Sequence, residues 1–132
     1  MINIVVVSHG NLSEQLIRSS EMIAGEAENL FALTLQPGDK PEDFAQKVDD
    51  TMAKIGGEET LILIDILCGT PYNITARQVL KDNVECVTGA NLPMLIEAIL
   101  SRDGMTISEL AETITSVGAD SVKNLKPFLK GN

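Results

Sequence analysis

The chain opens with Ile2-Asn3-Ile4-Val5-Val6-Val7, a nearly unbroken run of branched apolar residues that stops at Ser8-His9-Gly10-Asn11. Such a run without strict alternation predicts a strand buried on both faces, as in a parallel sheet. Gly10 lets the backbone turn. Asn11 followed by Glu14 has the acceptor-then-carboxylate spacing that predicts a helix start. Beyond it, short apolar runs alternate with stretches of helical period, the pattern of stacked βαβ units. Leu12, Leu16, Ile17 and Ile23 share one face of a first helix that ends near Gly25. Residues 29–35 predict a second strand and Gln36-Pro37-Gly38-Asp39 a turn. Pro41 then opens a helix carrying Phe44, Val48, Met52 and Ile55, which Gly56-Gly57 stops. Residues 60–66 predict a third strand, Thr70-Pro71 cap a helix with Ile74, Val79 and Leu80, and residues 84–88 predict a fourth strand. Asn91 opens a further helix through Leu95, Ile96 and Ile99, and Thr106 with Glu109 forms a capping box for the next.

The expected fold is therefore α/β, a single doubly wound open sheet, mostly parallel, with helices on both faces. The segment 119–132 is ambiguous. Val122, Leu125 and Leu129 have helical spacing, yet Pro127 interrupts a helix there, so an edge strand or a tail docked on a neighbour also fits.

Composition narrows the class. A chain of 132 residues makes one domain large enough to need no staple. Cys68 and Cys86 lie apart with no CxxC spacing and read as reduced thiols, Cys68 as a small packing residue. Met1 leads straight into the first strand with no basic leader, and no apolar run approaches the roughly 20 residues that span a bilayer. With 19 acids against 10 bases, the net charge of −9 opposes nucleic acid and anionic lipid.

His9, the only histidine, falls in a strand-to-helix loop, beside helix N–H groups that lack intrahelical partners. Such loops bind anions in open α/β sheets. A lone loop histidine is more often a surface hydrogen-bond partner than a catalyst, and it is this position that singles out His9. Asp65 interrupts the most apolar strand close to its carboxyl end, where a carboxylate is costly unless something donates to it. If the first and third strands are neighbours, Asp65 faces His9. A carboxylate on one ring nitrogen fixes the tautomer and frees the other lone pair for attack. The loop Cys68-Gly69-Thr70-Pro71-Tyr72 adds a second helix start, the Thr70 hydroxyl and a glycine that permits close approach. Tyr72 reads as amphipathic filler and Lys123, Lys126 and Lys130 as a solvated basic edge. One histidine and two separated cysteines build no ordinary zinc site, so no metal and no cofactor is expected. Neither GxGxxG nor GxxxxGK[ST] is present.

Three stretches in order, Ser8-His9-Gly10, Ile64-Asp65-Ile66-Leu67-Cys68-Gly69-Thr70-Pro71-Tyr72-Asn73 and Thr88-Gly89-Ala90-Asn91-Leu92-Pro93-Met94-Leu95, resemble the mannose-family IIA component of the bacterial phosphoenolpyruvate-dependent sugar phosphotransferase system. The resemblance runs over almost the whole chain. It implies a sheet ordered 2-1-3-4, with the first and third strands side by side. It also implies a phosphocarrier whose His9 takes a phosphoryl group from the histidine-containing phosphocarrier protein and passes it to a IIB component. Asp65 would pair with His9, and Ser8, Gly10, Gly69, Thr70 and Pro71 would surround the phosphate. The membrane IIC and IID transporter would be an indirect partner, and the domain cytoplasmic, at most peripheral to that transporter. A homodimer is implied, with 119–132 as an exchanged antiparallel strand. The chain ends after the IIA domain, so the IIB domain is expected on a separate polypeptide. Leu67-Cys68-Gly69 departs from the Trp-Gly or Gly-Gly that the family often has before Ser/Thr-Pro. Two other readings stay open: the phosphocarrier subunit of dihydroxyacetone kinase, which lacks a Gly-Thr-Pro loop, and a non-catalytic flavodoxin-like ligand-binding module.

Overall fold

The amino-terminal apolar run forms β1 (Asn3–His9), of which every residue but His9 is buried. In the computed structural model, which describes residues 1–131, three further parallel strands join it: β2 (Leu30–Leu35), β3 (Thr60–Ile64) and β4 (Val84–Thr88). The order is β2-β1-β3-β4. From β1 the chain moves one way to β2, then reverses across β1 to β3 and continues to β4. Right-handed crossovers therefore put the first connecting helix on one face and the next two on the other. The cores agree. One cluster unites Ile4, Val6, Leu61 and Leu63 with Leu16 and Ile17 of α1 (Leu12–Ala24). To the same face pack α4 (Leu92–Ser101) and α5 (Ile107–Asp120). The other unites Val5, Val7, Ile62 and Ile64 with Phe44 and Val48 of α2 (Pro41–Ile55) and Tyr72 and Ile74 of α3 (Thr70–Thr75). β1 thus sends alternate residues to opposite layers, as the pleat requires.

The boundaries shift slightly. β3 ends at Ile64, so Asp65 lies just past the strand, and α3 tightens into a 3₁₀ turn (Ala76–Leu80) that leaves Leu80 exposed. On α1 the inward stripe is buried Ser13 and Ser20 with half-buried Leu16 and Ile17, while Leu12 and Ile23 face solvent. The helix lies so close to the sheet that its two most buried positions are serines. Each hydroxyl is satisfied locally, Ser13 on the Leu33 carbonyl at 3.1 Å and Ser20 on the Ile17 carbonyl at 2.6 Å. Asn91 and Thr106 cap α4 and α5 as expected, accepting from the Met94 and Glu109 N–H groups. Residues 125–129, where an exchanged strand is one expectation, form a short helix α6 (Leu125–Leu129) in the single chain. Asn124, one residue before it, lets Pro127 fall in the first helical turn, where a missing N–H costs nothing. Val122, Leu125, Phe128 and Leu129 remain exposed there, and Asn132 lies outside the described residues.

The two cysteines differ. Cys68 is exposed rather than packed. Cys86 sits on β4, where burial and then the neighbouring Glu85 carboxylate push its thiol up to about 11. Alkylation at about pH 8 should label Cys68 and spare Cys86, as read by peptide mass. Equal labelling would contradict this placement. The unfolded chain releases the Cys86 proton near the ordinary value of 9.0 and the folded chain only near 11. Stability should therefore fall as pH rises through that window, and a Cys86→Ala variant should lose that part of the slope.

Candidate functional site

The carboxyl ends of β1 and β3 place the two polar residues in contact. Parallel pairing sets Val7 against Ile64, and the ladder runs one step further, the Asp65 N–H donating to the Val7 carbonyl at 3.0 Å. This brings the Asp65 side chain under His9. Its Oδ2 accepts the His9 backbone N–H at 2.8 Å and meets the ring at Nδ1, also at 2.8 Å. Its Oδ1 accepts the Ile66 N–H at 2.9 Å. Three donors converge on one carboxylate, which offsets the cost of holding it 8% exposed. An ionised carboxylate only accepts, so in the neutral ring the proton sits on Nδ1 and the lone pair on Nε2. The ring is 45% exposed.

Gly69 closes the other side. A Cβ built on it would lie 3.0 Å from His9 Nε2 and 3.1 Å from Cε1, so a side chain at this position would crowd the reactive end of the ring. Its φ of 89° with ψ of 177° is a conformation open essentially to glycine alone. Thr70 and buried Pro71 follow as the first residues of α3, whose first-turn N–H groups lack intrahelical acceptors. Gly10 turns the chain at φ 58°, its N–H donating to the Leu35 carbonyl at 2.8 Å.

Ser8 is elsewhere. The pleat turns it to the layer opposite His9, and it is 0% exposed. Its hydroxyl donates to the Gly10 carbonyl at 3.0 Å and accepts the Ser13 N–H at 2.8 Å, so it does not share the open face. Asn11 makes no side-chain cap on α1; its Oδ1 accepts from Gln36 Nε2 at 2.7 Å, and Ser8 serves the helix start instead. Ser13 and Gln36 are the residues that sequence reasoning missed. Ser13 stands in phase with Leu16, Ile17 and Ser20, a core stripe that an apolar-only search passes over. Across the β2 loop, Lys47 ties the Thr34 carbonyl at 3.0 Å to Asp39 at 3.1 Å. The Gln36 N–H first, and Lys47 next, hold the Asp39 carboxyl below its ordinary value. Among the described residues, no three of His, Cys, Asp and Glu cluster as a metal site.

Residues 3–115 match the family model described as the PTS system fructose IIA component, PTS being the sugar phosphotransferase system. The chain belongs to this family. The IIA component is 35% identical over 128 residues to the PTS mannose-specific EIIAB component of Escherichia coli (strain K12). That match covers 95% of this chain and 40% of the EIIAB component, so the chain spans under half of that relative. It is 32% identical over 123 residues to the fructose-specific EIIA component of Bacillus subtilis (strain 168), covering 92% of this chain and 84% of that one. Among solved structures, the mannose/sorbose specific IIA subunit from Enterococcus faecalis superposes with a TM-score of 0.87 at 28% identity, covering 95% of both chains. The family and the sheet order 2-1-3-4 are thus the ones the three motifs imply.

Gly69→Ala tests the bare wall of this IIA site. The added methyl should slow acylation of His9 by diethyl pyrocarbonate several-fold. It should also lower stability by about 1–3 kcal/mol through the disfavoured backbone. An unchanged acylation rate in the folded variant would mean that the ring swings clear of residue 69.

Proposed function

We propose that this IIA component is a phosphohistidine carrier. His9 accepts a phosphoryl group from the histidine-containing phosphocarrier protein and passes it to a IIB component during sugar uptake. The observation that carries this reading is the pinned ring: Nδ1 is held by Asp65, which leaves Nε2 as the lone-pair nitrogen of the neutral ring, beside Gly69, on a side chain that is 45% exposed. In the first step the Nε2 lone pair forms a bond to phosphorus in line with the breaking P–N bond of the donor. The electron pair returns to the donor imidazole, and no proton crosses Nε2. The phosphorylated ring keeps its Nδ1 proton and acquires cationic character, which the Asp65 carboxylate balances. In the second step the same bond breaks toward the IIB nucleophile. Asp65 is the orienting residue. Gly69, Thr70 and Pro71 form the loop that receives the transferred group, through the Gly69 and Thr70 N–H groups and the Thr70 hydroxyl, with Pro71 fixing the turn. Gly10 shapes the His9 turn, and Ser8 supports it from beneath.

Phosphoenolpyruvate with the general phosphotransferase proteins should add one acid-labile phosphate, located at His9 by mass spectrometry and absent from His9→Ala. Asp65→Asn should fold and transfer at least tenfold more slowly, since a freed ring divides between tautomers. A label retained by His9→Ala, or full speed in Asp65→Asn, would overturn these roles. Transfer to a IIB protein separates this reading from the dihydroxyacetone kinase subunit. Absence of any phosphohistidine together with saturable ligand binding would instead favour the non-catalytic module.

The proposal places the domain in the cytoplasm, where it reaches the membrane IIC and IID transporter through IIB. Among the described residues no helix is long and apolar enough to cross a membrane. The proposal also makes the active form a homodimer in which 119–132 crosses to a second copy. Among the described residues β4 has no strand on its outer side, and a groove of about 520 Å³ runs between it and α5, with Glu85 and Glu112 among its walls. The tail offers exposed apolar residues and Lys123, Lys126 and Lys130 to fill it. Light scattering should find a dimer that a chain ending at Asp120 cannot form; an equally dimeric truncation would refute the exchange.

A further inference from the structure

Beneath His9 lies a pair of hydroxyls that the transfer chemistry does not use. Ser8 and Ser13 are both 0% exposed, and neither is apolar. The pleat of β1 sends Ile4, Val6 and Ser8 toward α1, and Val5, Val7 and His9 toward α3. The residue before the histidine is therefore the one that can brace its backbone from the opposite layer. Ser8 Oγ donates to the Gly10 carbonyl at 3.0 Å and accepts the Ser13 N–H at 2.8 Å. Ser13 Oγ in turn donates to the Leu33 carbonyl on β2 at 3.1 Å. One hydroxyl thus holds the residue after His9 and the first turn of α1 together, and the second anchors that turn to the neighbouring strand. Gly10, between them, has a φ of 58° and no side chain to hold it there. The Asp65 grip needs the His9 N–H and Nδ1 to reach one oxygen at once, so a displacement of the main chain at Ser8–His9 breaks both contacts.

We infer that Ser8 is a positioning residue for the His9 ring: its buried hydroxyl locks the Ser8–Ser13 turn so that Asp65 can hold Nδ1 and leave Nε2 unprotonated. The kinetic half of this inference rests on the carrier reading above; the geometric half does not. Ser8 makes no contact with the transferred group, and both hydrogen-bonding capacities of its hydroxyl are used internally.

Nitrogen-15 NMR of the His9 ring separates the two halves. In the unmodified chain at alkaline pH, Nδ1 should give a protonated, pyrrole-type shift and Nε2 a pyridine-type shift. In Ser8→Ala the two shifts should move toward each other as the tautomers mix, and Ser8→Thr, which keeps the hydroxyl, should restore them. Ser13→Ala keeps the Ser13 N–H, so it should lower the melting temperature and leave the ring shifts unchanged. Should Ser8→Ala fail to fold, Ser8→Cys, with a similar size and a weaker donor and acceptor, is read in the same way. Phosphoramidate, a small donor that needs no docking, should label His9 in Ser8→Ala about tenfold more slowly, the scale of one lost net hydrogen bond. Transfer from the protein donor should lose kcat with KM unchanged. Folded Ser8→Ala with unmoved ring shifts overturns the inference, whatever the labelling shows. Moved and Thr-restored shifts in a protein that no donor phosphorylates uphold it and refute the carrier reading instead.

Discussion

A single oxygen, Asp65 Oδ2, accepts from both the main chain and the ring of His9, each at 2.8 Å. Gripping the ring alone would leave the backbone free to carry it away, and gripping the backbone alone would leave the ring free to spin. Both contacts on one acceptor fix position and tautomer together. The arrangement is possible only because β1 and β3 are parallel neighbours that end within two residues of each other. An antiparallel partner would put its own turn at this rim, and a strand one place further away would lie about 10 Å off, beyond side-chain reach.

The rest of the fold can be understood as maintaining that adjacency. Reversal of the winding direction between β1→β2 and β2→β3 opens the crevice at the strand ends, and right-handed crossovers assign α1 to one layer and α2 and α3 to the other. Both layers are then recruited. From the α3 side come Gly69, whose missing side chain lets the loop pass close to Nε2, and the turn that follows it. From the α1 side come Ser8 and Ser13, which brace the loop where no apolar side chain could. The alternation of a single strand thus divides reactive ring and support between two layers.

What the sequence made legible follows the strength of each local signal. Apolar runs bounded by glycine and proline locate the strands to within two residues, because burial on both faces leaves little room for polar intrusions. Asp65 stood out because a carboxylate in such a run has to find donors. The order of the strands came from family resemblance, since periodicity contains no information about which strand lies beside which. The buried face of α1 departs from the apolar spacing for a definite reason. Close packing on the sheet favoured Ser13 and Ser20 over bulk, while Leu12 and Ile23 lie outside the contact. The tail was ambiguous on its residues, as its apolar spacing suits a helix and its exposure suits a partner.

The proposed role also explains what the rim lacks. The loops after β1, β3 and β4 contain no lysine or arginine, in a chain already at −9. A dianion held there meets backbone N–H groups and the ends of helices, each worth about 0.3–1 kcal/mol, and a carboxylate one ring away. Strong fixed cations would hold the phosphoryl group tightly and raise the barrier to its departure, because binding that favours the ground state alone slows the next step. A carrier has to release what it takes to a second protein. Weak stabilisation of the group, combined with rigid orientation of the ring, keeps the phosphorylated form close in free energy to its donor and acceptor. The selective element is then geometry at Nε2, and any cation that speeds the transfer has to arrive with the partner.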